Sequence, residues 1–93
     1  MTILVGATTK GLVLFDDYEG DQQHVMTVRQ AEVFIGSLRE ALVHSPNGII
    51  VTAATHGGGI LRYAASKDAA TLMITQVTDA IGCLRDQFSS LME

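Results

Sequence analysis

SKDAATLMITQVTDAIGCLRDQFSSLME, residues 66–93, is the stretch on which the fold turns. Thr71, Ile74, Thr75 and Val77 are β-branched and would suit a strand. The spacing decides against one. Ala70, Ile74, Val77, Ile81, Leu84, Phe88 and Leu91 follow at intervals of 4, 3, 4, 3, 4 and 3 residues. That is the repeat of one helical face. Asp68, Asp79, Asp86 and Glu93 fall on the opposite face in the same register. Ser66 is a good N-cap, and Asp68 suits the positive end of the helix dipole. The spacing therefore predicts a single helix over 67–92.

Length then becomes an argument. About 26 helical residues rising 1.5 Å each span roughly 40 Å. A compact chain of 93 residues has a radius of gyration of only about 12 Å. Such a helix is longer than its own domain, and its apolar stripe continues into the overhang. The simplest cover for the stripe is the same helix from a second chain. Ile74, Val77, Ile81, Leu84, Phe88 and Leu91 are thus the candidate oligomer interface, and the chain's first expected partner is itself.

Outward from this helix, Ile60–Ala65 and Ile49–His56 read as two strands joined by Gly57-Gly58-Gly59. Pro46-Asn47-Gly48 before them ends an earlier helix near Ser45, because a residue before proline avoids the α region. That helix opens on a capping box, Thr27 with Gln30. Met26 and Ala31 are placed as a small hydrophobic staple. Its apolar positions are Ala31, Phe34, Ile35, Leu38, Ala41 and Leu42. Upstream, residues 2–8 and 12–17 form a hairpin about Thr9-Lys10-Gly11, and residues 22–26 suit a short third strand. The first two strands are apolar on both faces, the mark of a strand covered on both sides. The expected fold class is α+β: an antiparallel sheet of four or five strands in the order ββ(β)αββα, with one short helix and one long C-terminal amphipathic helix. Residues 1–93 are read as one domain.

Composition narrows the function. Charged residues make up 17% and apolar ones 47%, with no tryptophan. Few charges on a short chain leave more apolar surface than a small core hides. The net charge is −4, and Lys10, Arg29, Arg39, Arg62, Lys67 and Arg85 form no basic stripe. Nucleic acid and acidic membrane surfaces are therefore not expected partners. The single cysteine, Cys83, excludes an intrachain disulfide and fits a reducing compartment. The start has no basic segment of a secretory leader, and no uncharged run reads as a membrane span. The expected location is the cytoplasm.

The sharpest local motif is His56-Gly57-Gly58-Gly59. Consecutive glycines let main-chain amides approach an anion. Arg62 and Tyr63, just beyond, are its natural supplementary contacts. These six residues are the candidate binding site for a small-molecule anion or nucleotide. The four-residue motif resembles the oxyanion loop of some lipases and esterases, but their G-x-S-x-G nucleophile motif is absent. The acidic run Asp16-Asp17-Tyr18-Glu19-Gly20-Asp21 lacks EF-hand spacing and reads as a solvated turn. His24, His44 and His56 have no metal-ligand spacing. Asp79 and Asp86 lie on a polar face. Cys83 reads as a buried, inert thiol among small and apolar neighbours.

No nucleophile, base and orienting group can be assembled from these residues. Catalytic residues, metals and cofactors are accordingly not expected. The expected function is that of a small non-enzymatic, homo-oligomeric interaction protein, regulatory or inhibitory, acting by binding another protein. The alternative is an oligomer that sequesters a small molecule near the His56–Gly59 turn.

Overall fold

The computed structural model describes residues 3–17, 22–45 and 47–92, with side chains over 3–16, 23–45 and 47–86. The elements in chain order are β1 (Ile3–Ala7), β2 (Val13–Asp17), β3 (Gln22–Met26), α1 (Val28–His44), β4 (Ile49–Ala54), β5 (Ile60–Ala65) and α2 (Lys67–Met92). The chain is α+β, with α2 the long helix expected from the 66–93 stretch.

The β1–β2 turn follows from Thr8 and Gly11. Gly11 takes φ 81°, a left-handed backbone that glycine adopts freely. The Thr8 amide donates to the Leu12 carbonyl at 2.9 Å. The Thr8 hydroxyl accepts from the amides of Lys10 at 3.3 Å and Leu12 at 3.1 Å. Both residues are thereby drawn out of the longer strands read from the sequence. Pairing is antiparallel throughout, with Val5 opposite Phe15 and Phe15 opposite His24. One face of this meander carries Val13, Phe15 and Met26 into the core, with Ile3 and Val5 packed beside them.

The capping box at the start of α1 is complete. Thr27 Oγ1 accepts from the Gln30 amide at 3.1 Å, and Gln30 Oε1 accepts from the Thr27 amide at 3.0 Å. Met26 and Ala31 are both fully buried there. Phe34 stands at the centre of the molecule. Its ring meets Phe15 edge-on at 5.7 Å and Tyr63 edge-on at 5.8 Å, so one side chain of α1 joins both sheets.

The expected single sheet of four or five strands is not what forms. The strands divide into a three-stranded sheet, β1-β2-β3, and a two-stranded sheet, β4-β5. The cause is the junction after β3. Only Thr27 separates Met26 from α1, so the chain turns at once into the helix. The β4 strand then returns against α1, with β5 as its ladder partner. The hairpin meets β3 at its turn, where the His56 amide donates to the Val25 carbonyl at 2.7 Å and Gln30 Nε2 donates to the Thr55 carbonyl at 3.4 Å.

On α2 the side chains buried in the core are Ala70, Met73, Val77, Ala80, Ile81 and Leu84. Ser66 caps the helix, its hydroxyl accepting from the Ala69 amide at 3.3 Å. The molecule measures 45 × 28 × 21 Å with a radius of gyration of 13.2 Å. A helix of 26 residues, about 39 Å long, therefore runs most of its greatest dimension. Among the described residues no helix is long and apolar enough to cross a membrane.

Candidate functional site

The residues read as an anion site do not converge. Gly57 and Gly58 take φ 93° and 92°, which explains two of the three glycines as turn geometry. Gly59 is small for another reason: a Cβ there would lie 2.7 Å from Thr55 Oγ1. The His56 amide is held by Val25, and the Gly58 amide donates to the Thr55 carbonyl at 3.4 Å. A row of free amides is thus broken at two positions. Arg62 and Tyr63 are neighbours on β5 and point to opposite faces. Arg62 lies outside, opposite Thr52, whereas Tyr63 is buried and its hydroxyl donates to the Ala69 carbonyl at 3.3 Å. Burial pushes the Tyr63 phenol above the ordinary tyrosine value.

The stripe read as an oligomer seam serves the subunit's own core over most of its described length. Val77, Ile81 and Leu84 are buried there, and Ile74 is half-buried against the same cluster. These three have no surface left for a second chain. The side chains of Phe88 and Leu91 lie outside the described set, as do residues 18–21 of the acidic run. Among the described residues no three His, Cys, Asp or Glu groups converge as a metal site would require.

Cys83 is a correction. Its thiol is exposed, not buried. It sits on a flank of α2 that the apolar stripe does not reveal. Leu72, Gln76, Asp79 and Cys83 are spaced 4, 3 and 4 residues apart and form one row along the helix. This row overlooks β1. A groove of about 210 Å³ is lined by Ile3 and Leu4 on one side and Ala69, Leu72, Met73 and Gln76 on the other, with Tyr63 at its end. A second groove of about 250 Å³ continues it between Val5, Gly6 and Ala7 and Gln76, Asp79, Ala80 and Cys83. Gln76 belongs to both, so the trough follows β1 from end to end.

The other flank of α2 faces α1 across a cleft of about 480 Å³. Ile35, Ile81 and Gly82 line it with Thr78, Arg39, Arg85 and Glu32. Arg85 and Glu32 form an ion pair at 2.6 Å. Both groups are largely solvated, so the pair contributes little to stability.

Apolar side chains also remain on the faces turned away from the core. Ile50 and Ile60 are 63% and 71% exposed on the outer face of the β4–β5 hairpin, Ile50 opposite Ala64 and Ile60 opposite Ala54. On the meander Leu4 is 48% exposed, and on α2 Leu72 is 58% exposed. The alternation of β1 and β2 predicts cover on both faces; among the described residues only one face packs into the core. No family model, characterised protein or solved structure matches the chain.

Proposed function

We propose that this chain is a self-associating, non-enzymatic interaction module that acts by binding another protein. The observation that carries the reading is the apolar surface left outside the core: Leu4, Ile50, Ile60 and Leu72 on the outer sides of both sheets and of α2. Surface of this kind on a short chain is what a second chain covers. Low charge on the chain as a whole supports the same reading.

The hairpin's outer face is the surface offered to the other protein. Ile50 and Ile60 stand at its two ends, with Thr52 and Arg62 between them as a polar middle. The His56 and Gly58 amides are bonded within the chain, which weighs against the anion-binding alternative.

Sedimentation equilibrium of the full chain over micromolar concentrations tests self-association; a dimer or larger assembly is expected. A monomer throughout overturns that half of the reading. Capture from a lysate compares the native chain with the Ile50→Glu, Ile60→Glu double variant. A protein held by the first and lost by the second is expected, and identical captures overturn the partner surface.

A further inference from the structure

We infer that two copies of the chain join edge to edge through β1, on a two-fold axis passing Val5, to form one six-stranded sheet. The inference rests on the self-association proposed above and assigns it a surface. β1 is an outer strand of its sheet. In an antiparallel pair, residues alternate between bonding to the neighbour and pointing their main-chain groups away. Thr8 donates to Leu12, so the inward set on β1 is Gly6 and Leu4, and the outward set is Ile3, Val5 and Ala7. None of those three has a main-chain partner at the free edge among the described residues.

Natural edge strands are guarded by charge, proline or a bulge. β3 at the far side is polar, with Gln22, Gln23 and His24, and its end is tied to His56. β1 has none of these guards. Ile3-Leu4-Val5-Gly6-Ala7 is uncharged and regularly paired along its whole length.

The register that pairs the free edge with itself is centred on Val5. Val5 faces its own copy, and Ile3 faces Ala7 of the second chain. All three outward positions then become hydrogen-bonded pairs, with about six main-chain bonds across the axis. The same register sets Leu4 opposite Gly6 of the second copy on the outer face. Among the described residues nothing requires glycine at position 6: a Cβ there would meet nothing within 4 Å. Across the axis that space receives the half-exposed Leu4.

The α2 flank shares the centre. The row Leu72, Gln76, Asp79, Cys83 is symmetric about its midpoint, so an antiparallel copy puts Leu72 near Cys83 and Gln76 near Asp79. An aliphatic group meets a thiol, and an amide donor meets a carboxylate. The grooves set Val5 level with Gln76 and Asp79, so strand and helix use one axis.

The test uses two full-length proteins, both Cys83→Ser, one also Leu4→Cys and the other Gly6→Cys. Opposed residues of a non-hydrogen-bonded pair lie within disulfide reach. Mild oxidation of the mixture should give a covalent heterodimer as the main product, while each protein alone should remain largely uncrosslinked. Ala7→Pro removes one outward amide per chain and should raise the dimer dissociation constant at least about tenfold, with circular dichroism unchanged. An oligomer in which no crosslink forms, or which Ala7→Pro leaves intact, overturns this interface and leaves self-association standing. A native chain that stays monomeric overturns both. A monomer whose β1 instead takes up an extended peptide of another protein overturns the second copy as the occupant.

Discussion

The His56 amide and the Val25 carbonyl lie 2.7 Å apart, and this bond ties the β4–β5 turn to the end of β3. The turn is therefore a joint between two sheets as well as a change of direction. Gly57→Ala and Gly58→Ala should each cost about 1–2 kcal/mol, because an L side chain is strained at φ 93° and 92°. Urea denaturation measures the loss. Unchanged midpoints would mean that the turn can relax without disturbing the joint.

Gly59 should behave differently. Its Cβ would press on Thr55 Oγ1 at 2.7 Å, so the penalty of Gly59→Ala belongs to a pair of residues. In a Thr55→Ala background most of that penalty should vanish. A double-mutant cycle with no coupling would place the cause elsewhere.

Phe34 is the keystone of the aromatic row, touching Phe15 and Tyr63 at once. Phe34→Ala should destabilise the fold by about 3–5 kcal/mol, close to the whole stability of so small a domain. Thermal unfolding should show loss of the cooperative transition or a fall of many degrees. A shift of only a few degrees would mean that the two sheets are held together without this side chain.

Tyr63 sets an alkaline limit. Its phenol is raised above 10.0 by burial, so the folded chain holds the proton more tightly than the unfolded chain. The stabilisation is complete below pH 10 and is lost as pH rises through the raised value. Tyr63→Phe should flatten this limb of the stability curve, at the cost of the bond to the Ala69 carbonyl. Denaturant midpoints from pH 8 to 11 on both proteins decide it; parallel curves would exclude Tyr63 as the cause.

Gly36 and Gly82 sit in the two helices, and an added Cβ at either meets nothing within 4 Å. Alanine at each should stabilise by about 1 kcal/mol, since glycine is the poorer helix former. Chemical denaturation checks the sign. A loss at Gly82→Ala would show that the α1–α2 cleft needs its open side.

The helices are legible in the sequence because burial imposes a spacing, and Thr27 with Gln30 marks a helix start that two reciprocal bonds then realise. The depth of each side chain is less legible. A wheel ranks positions around α2 but does not say how far the neighbouring sheet reaches. The sheet stops at β1, so the flank with Leu72 and Cys83 stands open while Met73 and Ala80 are covered. The division into two sheets is set by the single residue between β3 and α1. The Arg62–Tyr63 reading fails on strand parity, which was already present in the alternation of β5. The triple glycine suggests a ligand loop by its composition, and only the fold reveals that the Gly58 amide and the neighbouring His56 amide are bonded within the chain.

The trough beside β1 has walls drawn from distant parts of the chain: Ala7 ends one and Lys67 begins the other, sixty residues later. The meander and the hairpin close on near neighbours in sequence, whereas docking α2 on β1 closes the longest loop in the molecule and is entropically the most demanding step. A chain caught before that step displays a naked edge but no helical row beside it. Recognition that requires both walls therefore discriminates by maturity: it admits finished molecules, and a nascent or damaged copy lacks half of the credential.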